Sequence, residues 1–148
     1  MEGSELLRHL GKISTLADYD VQLYSIDNVY CPPEKYPALF VFNTASSRGV
    51  GEHYISFIVK TNKEAFYYDS FGISPIDCII EFVDKIGVKN LRYSTRWLQS
   101  PFSKSCGHHQ IAFAACLSAG VDFKKFIETF SSDYEINDRM VESFVNSL

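Results

Sequence analysis

The order of apolar and polar residues predicts several strands in the first two thirds of the chain. The run ALFVFN (residues 38–43) is continuously apolar, as expected of a strand at the centre of a sheet. The segments HYISFIVK (53–60) and AFYYDSFG (65–72) are rich in β-branched and aromatic residues and flank the polar turn TNKE, a pattern typical of a β-hairpin. A further strand is predicted over residues 20–26, and LRYSTRWL (91–98) predicts one or two short ones.

Helical spacing of apolar residues dominates the rest of the chain. One apolar stripe predicts a helix that ends at Gly87; its members are Ile76, Ile79, Ile80, Val83 and Ile86. The segment 106–119 is apolar on most sides of the helical wheel and is followed by Gly120. We therefore expect a central helix that is buried nearly all round.

Two amphipathic helices are predicted after it, over residues 122–130 and 137–147, each capped by its first residue, an Asp and an Asn. Because the 148 residues contain no repeat or linker, we expect one domain, residues 1–148. The order of the elements predicts an α+β fold. In it a mainly antiparallel sheet packs against the central buried helix that starts at Cys106.

Composition and charge argue against two classes of function. The net charge of −4 and the pI of about 5.5 are unlike those of a dedicated nucleic-acid-binding protein. No apolar run approaches the ~18 residues of a membrane span, and the acidic N-terminus is unlike a signal peptide, so we expect an intracellular protein. One stretch is locally basic and leaves open a solvated face or a site for an acidic partner; its residues are Lys85, Lys89, Arg92, Arg96 and Lys104.

Cys106 is the first candidate for chemistry. The unpaired N–H groups and the positive end of the dipole at a helix N-terminus favour the thiolate, which is the nucleophilic form. A buried structural thiol is the alternative. The following Gly107 allows another backbone, such as a bound peptide, to approach closely. The sequence CGHH could also be half of a zinc site, but no second ligand pair accompanies it, so no metal is predicted.

A nucleophilic Cys needs a base, and His53 is the best candidate. It opens a predicted strand after a Gly/Ser-rich loop, whereas His108 and His109 follow Cys106 on its own helix. Asp69 closes the partner strand of the same hairpin. If the turn is centred near Thr61, His53 and Asp69 lie directly opposite one another, with Cβ atoms about 5 Å apart. A register different by one residue would point them to opposite faces.

Gln99 precedes Cys106 by seven residues, across the loop SPFSKS. It could fold back and present its side-chain amide to the oxyanion of an acyl-transfer intermediate. The backbone N–H of Cys106 could be the second donor.

These residues resemble those of the adenovirus-type (adenain-like) cysteine peptidases, which share a superfamily with the SUMO-processing Ulp peptidases. The similarity lies in FNTASSRGVGEHYISF, in YYDSFG and in QSPFSKSCGHHQIAF, in that order, and covers residues 1 to about 120. The resemblance implies a papain-like or Ulp-like architecture. In it Cys106 is the nucleophile, His53 the base, Asp69 its orienting acid and Gln99 the oxyanion donor.

The resemblance also implies a substrate class. Gly51, Glu52 and Tyr54 would border a narrow cleft that admits an extended peptide with small residues, especially Gly, at the cleavage site. The substrates would be precursor proteins of a virus or a virus-like element. The location would then be the nucleus of the host cell or the virion.

The chain departs from the adenovirus enzymes at three places. Asp69 stands where they have Glu, and Tyr54 where they have Trp. The stretch IGVKNLRYSTRWLQ has no Cys, which argues against their disulfide-linked peptide cofactor, and the acidic charge argues against DNA as an activator. We therefore expect chemistry without a cofactor, a polypeptide substrate and a monomer.

Two alternatives to an endopeptidase remain open. One is a Ulp-like isopeptidase that removes ubiquitin-like modifiers. The other is a catalytically inactive peptidase fold that serves as a binding module. The complete set of Cys, His, Asp and Gln favours the endopeptidase.

Overall fold

Five strands form one mixed sheet in a computed structural model that describes residues 1–44 and 53–148. The strands lie side by side in chain order: β1 (Asp20–Ser25), β2 (Ala38–Asn43), β3 (Tyr54–Val59), β4 (Ala65–Tyr68) and β5 (Leu91–Tyr93). β3 and β4 pair antiparallel, as the hairpin pattern predicted, and β2 also pairs antiparallel with β3. Each edge strand pairs parallel with its neighbour.

In the described part of the chain, five α-helices flank this sheet: α1 (Gly3–Leu10), α2 (Asp77–Lys85), α3 (Cys106–Ser118), α4 (Phe123–Glu128) and α5 (Tyr134–Asn146). A short 3-10 turn (Ser14–Leu16) follows α1. The predicted α+β class is confirmed. None of the helices within the described ranges has both the length and the apolar content needed to cross a bilayer.

Both faces of the sheet are covered, which explains why β3 is buried along its whole length. Alternate residues of a strand point to opposite faces. Tyr54 and Ile58 accordingly pack in a core with α3, while Phe57 and Val59 pack in a second core with α2.

The helix α3 is the buried helix that the sequence predicted. A polar residue in its second turn fixes it to the sheet: Gln110 donates from Nε2 to the carbonyl oxygens of Tyr54 and Tyr68, both at 3.1 Å, and accepts a hydrogen bond from Ser56. Because these bonds reach both β3 and β4, the start of α3 is held at one end of the hairpin.

The start of α5 differs from the prediction. Asp133 is its N-cap and accepts the N–H groups of Glu135 and Ile136. Asn137, the predicted cap, lies one turn inside the helix and is buried. The prediction was wrong because an Asp four residues earlier could serve as the cap.

Candidate active site

His53 and Asp69 meet at the open end of the β3–β4 hairpin. Their Nε2 and Oδ1 atoms are 2.9 Å apart. The pairing of Ser56 with Tyr68 centres the turn on Asn62 rather than near Thr61. The predicted direct opposition is therefore wrong by two places, an even shift that leaves the two residues as diagonal neighbours within reach of each other.

The surroundings of His53 fix its ring and its backbone. The ring of Phe71 stacks on the imidazole, with the centroids 4.6 Å apart and the planes at 21°. The carbonyl oxygen of His53 accepts the backbone N–H of Thr44 at 2.8 Å and its hydroxyl at 3.1 Å. Asp69 also accepts the N–H of Phe71 through Oδ1 at 2.9 Å, so one carboxylate oxygen holds both His53 and the residue that stacks on it.

His53 also contacts Cys106. Its contacts with Asp69 and with Cys106 together set the charge of the imidazole. Burial of the ring disfavours the imidazolium, but hydrogen bonds with Asp69 and with the Cys106 side chain outweigh it and raise the pKa of His53 from 6.5 to about 9. The imidazole is therefore cationic at neutral pH. A cation beside a thiol favours the thiolate.

Cys106 is the first residue of α3, as predicted from the sequence. The preceding Ser105 does not cap the helix with its side chain, so Cys106 lies at a helix N-terminus without a side-chain cap, where the dipole is positive. The residue is only 6% exposed, in contrast to the exposed Cys31. In the same helix, burial raises the pKa of the Cys116 thiol.

The side chain of Gln99 is held by Ser70, the residue after Asp69, and by Ser103. It is 1% exposed, and its Oε1 accepts a hydrogen bond from the hydroxyl of Ser70 at 2.5 Å. Its Nε2 donates to Ser103, to Oγ at 3.1 Å and to the carbonyl oxygen at 3.3 Å. A substrate oxyanion would have to replace Ser103 as acceptor for one of the two amide hydrogens.

Ser70 is a site residue that sequence reasoning missed. Its carbonyl oxygen accepts the N–H groups of Leu98 and Gln99, at 2.9 and 3.0 Å, and its hydroxyl orients the Gln99 amide. Because Ser70 directly follows Asp69 and bonds Gln99, it links the position of Asp69 to that of the proposed oxyanion donor. A small polar residue after a strand carries no sequence signal for such a link.

The predicted cleft residues have different outcomes. Gly51 and Glu52 lie outside the described residues. Tyr54 is 1% exposed and donates its hydroxyl to the carbonyl oxygen of Met1 at 3.0 Å. Its ring faces the core, so only its backbone could border a peptide cleft.

The position that a side chain of residue 107 would take likewise faces the interior. A Cβ added there would lie 3.1 Å from Sδ of Met1 and 3.6 Å from Cδ2 of Tyr54. The absent side chain therefore makes room for the packing of Met1, not for a bound peptide as we expected.

The two His residues that follow Cys106 lie in two different environments. His109 is fully buried and bonds Asp138 and Tyr68. Burial lowers the pKa of His108, whose Nδ1 atom is buried without a hydrogen-bond partner. Across residues 1–44 and 53–148, no three His, Cys, Asp or Glu residues are grouped as metal ligands would be.

Comparison with solved structures identifies a structural relative. No family model and no curated protein matches the sequence. The crystal structure of the selenomethionine ASFV pS273R protease superposes with a TM-score of 0.53 and 20% sequence identity, over 70% of this chain and 43% of that one. The chain therefore spans less than half the length of that protease. At this identity, the likeness establishes a shared fold.

Proposed function

We propose that the chain is a cysteine endopeptidase of the Ulp-like type. The observation that carries the proposal is the position of His53, which bonds Asp69 at 2.9 Å on one side and Cys106, at the start of a buried helix, on the other. This is the arrangement of nucleophile, base and orienting acid that acyl transfer requires. The fold shared with a protease supports it.

The proposed reaction has two steps. The Cys106 thiolate attacks the carbonyl carbon of the scissile peptide bond, and the His53 imidazolium gives its proton to the leaving amine. The resulting neutral His53 then takes a proton from water, which attacks the thioester and releases the second product and the thiolate. Asp69 holds the imidazole in place, and Gln99 with the N–H of Cys106 stabilises the oxyanion in each step.

The proposed substrates are precursor proteins of a virus or virus-like element, cleaved at small or Gly-containing sites. Gly51 and Glu52 stay proposed borders of the cleft. The shared fold supports the broader Ulp-like superfamily, and the adenain-like type stays a prediction. The proposed chemistry requires no cofactor, and the proposed enzyme is a monomer inside the cell.

Hydrolysis of quenched peptides that contain Gly at varied positions tests the proposal. The wild-type chain and Cys116→Ser, which removes a thiol from the same helix, should cleave them, and Cys106→Ser should not. A protein tagged with a ubiquitin-like modifier, assayed in parallel, distinguishes endopeptidase from isopeptidase. Addition of DNA or of a basic peptide tests for an activator.

Labelling with iodoacetamide at pH 6, followed by mass spectrometry, provides a test that needs no substrate. Cys106 should react before Cys31, although Cys31 is far more exposed, because Cys106 contacts His53, whose raised pKa keeps the imidazole cationic at this pH. If Cys31 reacts first and no peptide is cleaved, the chain is a binding module and the proposal is wrong.

A further inference from the structure

The C-terminal helix α5 bonds the backbone on both sides of Gln99. Asn137 donates from Nδ2 to the carbonyl oxygen of Leu98 at 3.0 Å. Asp138 accepts the N–H of Ser100 through Oδ2 at 3.2 Å. The proposed oxyanion donor is therefore flanked by two hydrogen bonds from consecutive residues of one helix.

The same helix bonds the residue that precedes the nucleophile. The hydroxyl of Ser105 donates to Oε1 of Glu142. Glu142 lies one turn after Asp138, and residues four apart share one face of a helix. One face of α5 thus holds both ends of the loop that joins Gln99 to Cys106.

Asp138 connects this face to the nucleophile helix as well. Its Oδ1 lies 3.0 Å from Nε2 of His109, and Nδ1 of His109 lies 3.0 Å from the hydroxyl of Tyr68. Burial, and the charges of Asp69 and Asp138, raise the pKa of Tyr68, so its hydroxyl keeps its proton and can donate to Nδ1. When Tyr68 donates to Nδ1, the hydrogen on Nε2 of His109 is donated to Asp138.

A buried carboxylate is costly unless its oxygens are hydrogen-bonded. Asp138 is only 5% exposed, and its two oxygens bond two different elements, the α3 helix and the backbone after Gln99. These two bonds satisfy the buried carboxylate and also connect α3 to the backbone that follows Gln99. We expect this connection to fix the distance between the two elements.

We propose that α5 positions the Gln99 amide relative to the Cys106 sulfur, with Asp138 and Glu142 as the positioning residues. Asp138 fixes the Gln99 end of the loop and Glu142 the Cys106 end. The inference rests on the proposed function and extends it to a helix beyond the part of the chain that resembles known peptidases. Neither side chain touches the substrate.

Two substitutions test the proposal by peptide hydrolysis. Asp138→Ala and Glu142→Ala should each lower kcat about 10- to 100-fold with KM nearly unchanged, because the amide is needed mainly in the transition state. Glu142→Gln keeps an acceptor for Ser105 and should restore most of the activity lost in Glu142→Ala. Glu135→Ala removes an exposed carboxylate from the same helix and is the matched control.

Two further measurements separate positioning from loss of the fold. Iodoacetamide should still label Cys106 before Cys31 in both variants, because neither substitution removes the bond between His53 and Asp69. Trp97, the single tryptophan, donates from Nε1 to the carbonyl oxygen of Gln99 at 2.6 Å, so its fluorescence should change in Asp138→Ala and not in Glu135→Ala.

A double-mutant cycle decides the mechanism. In a Gln99→Ala background, Asp138→Ala should lower kcat by less than about two-fold, since the group that it positions is already absent. A full additional loss there, or wild-type kcat in both single variants, overturns the role of α5 and leaves the proposed peptidase intact. A wild-type chain that cleaves no peptide overturns the proposed function and with it this inference.

Discussion

The carboxylate of Asp69 bonds His53 and the N–H of Phe71 through the same oxygen, at 2.9 Å in both cases. Phe71 in turn stacks on the imidazole of His53. The acid therefore acts on the base in two ways, by a direct bond and by holding the ring that packs against it. A substitution can separate the charge of Asp69 from its geometry.

Asp69→Asn should keep the fold and lose activity. The amide oxygen can accept both hydrogen bonds, but the negative charge that favours the imidazolium is gone. We expect kcat/KM to fall about 100-fold or more and the pKa of His53 to fall from about 9 toward 6.5. The pH profile of peptide hydrolysis gives both kcat/KM and the pKa of His53. If activity of the variant still falls only near pH 9, the role of Asp69 is contradicted. Asp69→Ala, which also loses the bond to Phe71, should lower the melting temperature as well.

The free energy of unfolding should depend on pH through His53. Its pKa is raised to about 9 in the folded chain from 6.5, so the folded state binds the proton more tightly and unfolding releases it between these values. The stabilisation is complete below pH 6.5 and is lost as the pH rises to about 9. Urea unfolding of the wild type and of His53→Ala, compared from pH 6 to pH 10, should give a difference that shrinks over this range. A constant difference would show that the pKa of His53 is the same in both states.

Gly72 should tolerate no side chain. Its φ is +69°, and an added Cβ would lie 2.6 Å from the carbonyl oxygen of Thr95. Gly87 has a φ of +87° but open space around it, so it is the matched control. We expect Gly87→Ala to cost about 1 kcal/mol from backbone strain and Gly72→Ala about 2–4 kcal/mol, because a backbone clash is added. Equal losses in thermal unfolding would contradict the close approach.

Arg96 should act as a structural residue of the basic stretch. Its guanidinium donates to the carbonyl oxygens of Ile127, Phe130 and Ser131 at 2.8 to 2.9 Å, where α4 ends. Lys cannot reproduce this fork of donors, so Arg96→Lys should lower the free energy of unfolding by about 1–3 kcal/mol. Lys104→Ala, elsewhere in the stretch, is the control. Unchanged stability in Arg96→Lys would return Arg96 to the candidates for binding an acidic partner.

Residue type and hydrophobic pattern were sufficient to predict the hairpin, the buried helix and its first residue. The β-branched and aromatic residues on both sides of a polar turn, and the all-round apolar segment after Cys106, are strong local signals. The helix N-terminus is informative because backbone polarity there has a chemical consequence that does not depend on the rest of the fold. His53 and Asp69 could be paired from their positions on one hairpin.

The register could not be predicted, because it depends on one backbone angle. Lys60 accepts the N–H of Lys63 and pairs with Glu64, so the loop has three residues, and Lys63 has a φ of +66°. Such loops usually place Gly at this position. With Lys there, the segment TNKE gives no indication of the loop length.

Hydrogen bonds between elements that are far apart in the chain could not be predicted from the sequence either. Ser70, Asp138 and Glu142 have no pattern that distinguishes them from surface polar residues. Each becomes meaningful only when the fold brings a partner to it. For Asp138 the partner on α3 is His109, three residues after Cys106.

Tyr68 and Asp69 are consecutive residues at the end of β4, yet Tyr68 bonds His109 and Asp69 bonds His53. Both bonds depend on one register of the hairpin, since a slip of one residue exchanges the sides to which neighbouring residues point. A chain whose hairpin is mispaired would therefore lose both bonds at once, and Cys106 would be an ordinary thiol. Under the proposed function, newly made or partly folded copies would be harmless to surrounding proteins, and cleavage would begin only when folding is complete.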